Sequence, residues 1–126
     1  MRAKNWAPLS DEEKDLLLSR TGDRPTYKPS FEAKAMTYQL KPGLGVHHPF
    51  IAPHRVHTGP ELSISLAVTF RTRHSDIWTD AHRFNARMRR LGMEPGAVGH
   101  NFFVDRAKSE LARIGQRVRR KPIKTD

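Results

Sequence analysis

The chain has 126 residues and a formal net charge of +10, from 23 Lys and Arg against 13 Asp and Glu. This length allows one domain of modest size with a core of its own. Cysteine is absent, which excludes disulfides and thiolate-bound metals, so a bound metal would need imidazole or carboxylate ligands.

The first 20 residues lack the apolar core of a secretory signal. No later segment approaches the ~18 consecutive apolar residues of a membrane span. The sequence therefore predicts a cytoplasmic protein that does not contact a membrane.

Residues 1–34 are predicted to form an N-terminal helix and a connector. Ser10 and Glu13 have the spacing of a capping box, which predicts a short helix from about 11 to 19. The stretch TGDRPTYKPS follows, and its glycine and prolines break regular structure.

Residues 35–72 are predicted to form strands, because apolar and polar residues alternate there with a period of two. The first such run contains Met36, Tyr38 and Leu40, and KPGLG turns the chain after it. Brief strands are predicted at 46–48 and 54–57. A longer strand has an apolar face and a small, polar face; the apolar face comprises Leu62, Ile64, Leu66, Val68 and Phe70.

Residues 75–121 are predicted to form two helices. Ser75 is the predicted cap of the first, and Gly92 its stop. Asp105 is a candidate cap of the second. The apolar residues of each helix recur at spacings of three and four, which predicts core-facing stripes; the stripes are Ile77, Ala81, Phe84, Met88 and Leu91, and Val104, Ala107, Leu111, Ile114 and Val118.

The segment PGLGVHHPFIAPHRVHTG, residues 42–59, contains four of the seven histidines. Its Pro-Gly turn, the later prolines and the Pro53–His54 pair resemble the second conserved motif of the cupin superfamily. The wider run, about 25–120, resembles the C-terminal half of bacterial cupin-like proteins of the Jumonji C type. Leu44 and Thr58 depart from that pattern, which commonly has an acidic residue and an asparagine in their places.

The resemblance implies a mainly β fold, in which part of a double-stranded β-helix is followed by two helices. It implies Fe(II) and 2-oxoglutarate as cofactors of an oxygenase or hydroxylase. It also puts His54 in the place of the family's last metal-ligating histidine. Apart from the resemblance, His47 or His48 beside His54 on a neighbouring strand could give a second ligand, and His48 is the candidate chosen. Ser63, Ser65 and Thr69 would face the cavity, either to touch the co-substrate or to pack tightly.

The family's other two ligands come from an upstream His-x-Asp or His-x-Glu element, and this sequence has none there. His74 precedes Asp76 by two residues, but it follows the motif instead of preceding it, and Ser75 and Asp76 fit a helix start. The sequence therefore predicts a chain that is not catalytically complete alone. Whether it is a gene fragment, a diverged short protein or a subunit stays open.

A second hypothesis is an oligomerisation or interaction module. Residues 61–126 carry 14 basic and 7 acidic groups, and many of the arginines fall on the polar sides of the two helices. They either solvate those faces or attract an acidic protein or, nonspecifically, a nucleic acid. A half-barrel exposes strand edges, which another copy or an N-terminal partner half would cover.

Overall fold

The structure is a computed structural model that describes residues 9–19 and 25–120. These residues form two compact units. One consists of residues 26–70, and the other combines residues 9–19, residue 25 and residues 71–120.

Three helices build the second unit, here termed the helical unit. Helix α1 is Asp11–Ser19, α2 is Arg73–Arg90 and α3 is Phe102–Arg120. Helix α2 is the central element, since it packs against both α1 and α3. The three predicted helices are therefore confirmed.

The helix ends follow local hydrogen-bonding rules. At α1, the Ser10 hydroxyl accepts from the Glu13 N–H at 3.1 Å and the Glu13 carboxylate accepts from the Ser10 N–H at 2.8 Å, which confirms the capping box. At α2 the cap is Thr72, because Ser75 instead takes the third helical position and completes a second capping box. Gly92, with a φ of +77°, follows the end of α2 as predicted.

Helix α3 begins at Phe102, so Asp105 is not its cap as predicted but lies inside the helix. Its cap is Asn101, whose side-chain oxygen accepts from the backbone N–H of Phe103 at 3.0 Å. Asp105 lies one turn further on and accepts from the backbone N–H of Gly99 at 2.8 Å, so it holds the preceding loop.

The core of the helical unit is small and unusually polar. Its buried apolar side chains are Leu9, Ile77, Ala81, Ala86 and Ala112. The buried polar side chains are more numerous: Asp15, Thr79, Asp80, His82, Asn85, Asp105, Lys108 and Ser109. Buried polar groups must find hydrogen-bond partners to avoid a large desolvation cost, so this core depends on its polar contacts.

The predicted mainly β fold is wrong. Residues 26–70 contain a 3-10 helix, Pro29–Lys34, and otherwise neither helix nor strand, and no strand occurs anywhere in the described residues. The predicted cupin sheet, a part of a double-stranded β-helix over 35–72, is absent there. Alternation makes a segment suitable for a strand, but a strand forms only when its backbone groups bond to a neighbouring strand.

Local side-chain contacts order the 3-10 region. The Tyr27 hydroxyl donates to the Glu32 carboxylate at 2.6 Å, and Arg55 approaches the same carboxylate oxygen at 3.1 Å. The Tyr27 ring meets the Phe31 ring edge-on. These exposed contacts connect the start of the unit to the histidine-containing segment.

Candidate functional site

The structure brings His48 and His54 together. Their rings stack with centroids 4.1 Å apart, and His54 Nδ1 lies 3.2 Å from the Ala52 carbonyl oxygen. His47 instead stacks on Phe70, at 6.0 Å between ring centroids. The four histidines of the segment, His57 included, are all exposed.

The metal-binding prediction needs correction. Within residues 9–19 and 25–120, no group of three or more His, Asp or Glu side chains is arranged to hold a metal ion. His48 and His54 are two neighbouring imidazoles without a third ligand, and a metal site of this chemistry needs at least three protein ligands. Asp76 is engaged elsewhere, because Arg71 donates to its carboxylate at 2.7 Å.

The predicted co-substrate residues lie in an irregular, exposed stretch. Ser63, Ser65 and Thr69 are all exposed, and none of them makes a hydrogen bond within the described residues. A carboxylate-binding cavity needs converging polar groups with restricted access to water. The structure does not provide that environment at these three positions.

The same stretch, residues 62–70, contains the three most exposed large apolar side chains among the described residues of the first unit, which are Leu62, Ile64 and Leu66. The five apolar residues predicted for one strand face are between 66% and 91% exposed. In the described part of the chain, no backbone N–H or C=O group of residues 62–70 bonds to another backbone group. Apolar surface and backbone hydrogen-bonding groups are therefore both available here.

Helix α3 has an apolar stripe that faces away from the core. The five residues of its predicted stripe are exposed, whereas the opposite face is buried. That buried face consists of Asp105, Lys108, Ser109 and Ala112. Polar contacts fix this orientation: the Lys108 ammonium donates to the Gly96 carbonyl at 2.6 Å, and the Asn85 amide donates to the same oxygen at 3.1 Å.

A cleft of about 610 Å³ lies in the helical unit, lined by the start of α2 and the first half of α3. Four arginines line it: Arg71, Arg73, Arg106 and Arg113. Its apolar lining comes from Ile77, which is buried, and Phe102, which is partly exposed. This volume is within the range of small-molecule sites, roughly 300–1,000 Å³.

Carboxylates inside the chain engage two of these arginines. Arg71 binds Asp76 through Nε and Nη2, and Arg113 donates to Asp80 at 2.9 Å and to Glu110 at 3.4 Å. The bond to Asp80 raises the pKa of Arg113 above its ordinary value, so this guanidinium stays charged. Arg73 and Arg106 form no ion pair within the described residues.

Several arginines that the sequence predicts either to solvate the helix faces or to attract an acidic partner instead bind inside the unit. Arg89 donates to Asp15 at 3.0 Å, and Arg83 donates to Asp80 at 3.0 Å and to the Leu18 carbonyl at 3.2 Å. Of the other basic residues, the side chains of Arg119 and Arg120 and all of Lys121 lie outside the described residues. The charge pattern of the sequence therefore does not show which arginines can contact a partner or ligand.

Comparison with protein-family models, with curated proteins and with solved structures gives no match for this chain. The relation to Jumonji C type proteins therefore stays a prediction. Within the described residues, no helix has both the length and the apolarity to cross a membrane.

Sequence reasoning missed the arginine cleft, because its lining comes from residues far apart in the chain. Arg71 and Arg73 precede α2, or begin it, whereas Arg106 and Arg113 lie on α3. The spacing of seven between the latter two places them on one helix face, which was a usable signal. Only the packing of α3 on α2 brings the two pairs to one cleft.

Proposed function

We propose that the chain is a self-association module in which residues 62–70 of two copies pair as antiparallel strands. The observation that carries the proposal is the exposure of alternate apolar side chains along a stretch whose backbone groups have no backbone partner. Extended segments with these properties add to other strands, because main-chain hydrogen bonds supply affinity and the apolar face is removed from water.

The sequence of this stretch is self-complementary about Leu66. When two copies run antiparallel with Leu66 opposite Leu66, Ile64 lies opposite Val68 and Leu62 opposite Phe70. Since side chains of opposed strand residues point to the same face, all ten apolar residues share one face of the pair. A shift of the register by one residue would place apolar residues opposite the small, polar ones.

Charge also favours a second copy as the occupant. Residues 62–70 contain no charged side chain, so no like charges are opposed along the pair. In the same register Glu61 of one copy lies opposite Arg71 of the other, whose guanidinium also bonds to Asp76 of its own chain, and this pairing occurs twice. Each opposite-charge pair across strands contributes roughly 0.2–1 kcal/mol.

A second alternating run would extend the sheet. Two strands alone are marginal in water, and three or more strands with an apolar face are needed for independent stability. Met36, Tyr38 and Leu40 are about half exposed and alternate with polar residues in the same unit as residues 62–70. Two copies would therefore contribute two strands of each kind.

The predicted oxygenase function stays a hypothesis, and the described residues contain no group of side chains that could hold its metal. Fe(II) and 2-oxoglutarate, as well as a cytoplasmic location, remain predictions from the sequence. A partner half, an acidic protein and a nucleic acid are alternative occupants of the exposed surfaces, and self-association is distinguished from them by an experiment on the purified chain alone.

The absence of cysteine makes disulfide trapping a clean test of the register. Directly opposed residues of antiparallel strands have Cα atoms about 4.5–5.5 Å apart, which a disulfide can bridge. Under mild oxidation, Leu66→Cys is expected to give a covalent dimer. Leu62→Cys mixed with Phe70→Cys is expected to give the mixed dimer in preference to either symmetric one.

Val56→Cys is the matched control, because Val56 is also highly exposed, at 78% against 90% for Leu66, but lies outside the proposed strand. Light scattering on the unmodified chain supplies the second measurement, and it should report a dimer. Equal trapping of Leu66→Cys and Val56→Cys would show random collision and overturn the register. A monomer at every salt concentration would overturn self-association and leave an unlike partner as the occupant.

A further inference from the structure

We propose that the arginine cleft of the helical unit is a binding site for a phosphate monoester whose organic group is aromatic or aliphatic. The cleft lies wholly within the helical unit, so the proposal does not depend on self-association through residues 62–70. Arg73 and Arg106 would hold the phosphate, while Ile77 and Phe102 would contact the organic group.

The charge balance of the cleft leaves two guanidinium groups for a ligand. The two acidic residues in the lining, Asp76 and Glu110, are each bonded to an arginine of the same cleft. Asp80 is not part of the lining, and its carboxylate also accepts from Arg113. Arg73 and Arg106 remain exposed, with no carboxylate within ion-pair distance in the described residues.

Two free guanidinium groups match a phosphate monoester better than a carboxylate. The monoester carries about −1.5 to −2 charges at neutral pH and three strong acceptor oxygens. A guanidinium offers a planar fork of donors that fits phosphate oxygens in pairs. A single carboxylate offers one charge and two oxygens, so it would leave one guanidinium without an anionic partner.

The apolar residues of the cleft favour ligands whose non-phosphate part is aromatic or aliphatic. Ile77 is a buried residue of α2, and Phe102 begins α3 with about half of its side chain exposed. The His74 ring meets the Phe102 ring edge-on at 5.8 Å between centroids, which holds the phenyl group in place. Contact with an aromatic or aliphatic group would remove the exposed surface of Phe102 from water.

Calorimetric titration with phenyl phosphate, inorganic phosphate and benzyl alcohol tests the proposal. Phenyl phosphate is expected to bind most tightly, since only it uses both the guanidinium groups and the apolar lining. The double variant Arg73→Gln with Arg106→Gln should weaken its binding by about tenfold or more, because each charge-assisted hydrogen bond is worth roughly that factor. Phe102→Ala should weaken phenyl phosphate more than inorganic phosphate.

The charge-matched control is Arg117→Gln with Lys41→Gln, which removes two exposed cations outside the cleft. It should leave the affinity for phenyl phosphate within about twofold, and helix content should be the same in all variants. An equal loss of phenyl phosphate affinity in the control and in the double variant would show that only the net charge matters. That result would overturn the proposed site. Absence of phenyl phosphate binding to the unmodified chain would overturn it as well.

Discussion

The Asp15 carboxylate of α1 is fully buried against α2, where it lies 2.6 Å from His82 Nδ1. Its second oxygen accepts from Arg89 Nε at 3.0 Å. Both carboxylate oxygens therefore have a partner on the same neighbouring helix, at positions seven residues apart. Because α1 buries little apolar surface, this pair of contacts fixes its position on α2.

The first prediction follows from that contact. Asp15→Ala removes the acceptor of the buried His82 and the partly buried Arg89, and breaking a buried pair in this way costs about 3–5 kcal/mol. Urea unfolding, monitored through the helix content, should show this loss of stability as a lower urea concentration at the midpoint. Glu12→Ala is the control on the same helix, because Glu12 is exposed, and it should change stability by no more than about 0.5 kcal/mol. Equal midpoints for the two variants would contradict the prediction.

The second prediction concerns the capping box of α2. The Thr72 hydroxyl accepts from the Ser75 N–H at 3.1 Å, and Thr72→Ala leaves that donor without its partner. We expect a loss of about 1 kcal/mol in the free energy of unfolding, whereas Thr72→Ser should retain most of it. Thr37→Ala is the control in an exposed, irregular stretch. A Thr72→Ser variant as unstable as Thr72→Ala would show that the hydroxyl bond is not the cause.

The third prediction is a pKa. The hydrogen bond to Glu32 raises the pKa of the Tyr27 phenol above its ordinary value of 10.0, and Arg55 acts in the opposite direction. A raised folded-state pKa means that this contact stabilises the fold below the ordinary value and is lost as pH rises through the folded value. Glu32→Gln should therefore lower the Tyr27 pKa, and Arg55→Gln should raise it.

Phenolate absorbance measures this titration directly. Tyr38→Phe in the background leaves Tyr27 as the sole tyrosine, since the chain has only two. A Tyr27 pKa that does not respond to Glu32→Gln would contradict the hydrogen bond as its cause.

Local sequence signals located the helices but not the way in which they pack. The capping box at Ser10 and the stop at Gly92 depend on neighbours within a few residues, so the sequence reveals them. The alternation at 62–70 is equally clear. Whether these residues form a strand depends on a backbone partner from elsewhere in the protein or from another chain. The local pattern carries no information about whether that partner exists.

The candidate sites show the same limit. The sequence makes His47 or His48 a candidate neighbour of His54 across two strands, whereas the structure stacks His48 on His54 in a stretch without strands. The third ligand needed for a metal site could not be found from spacing alone. Likewise, nothing near Asp15 in the sequence indicates that His82 and Arg89 will contact it. Buried ion pairs between distant segments arise from packing, which single-sequence patterns do not determine.

The last prediction tests the orientation of α3 with two adjacent residues. Leu111 belongs to the apolar stripe that the sequence predicts to be core, yet it is 54% exposed, whereas Ala112 is 0% exposed. Leu111→Ala should therefore cost well under the ~2–5 kcal/mol typical of a core leucine. Ala112→Leu should cost about 1–3 kcal/mol, because extra methylene groups do not fit between α3 and α2.

Denaturant unfolding of both variants at a concentration where the chain is monomeric gives the two free energies. Gln116→Ala is the control for helix propensity on the same helix. The reverse order, in which Leu111→Ala is the more destabilising change, would mean that the apolar stripe packs inward. In that case the polar contacts of Lys108 and Asn85 with the Gly96 carbonyl would not fix the face that α3 turns toward α2.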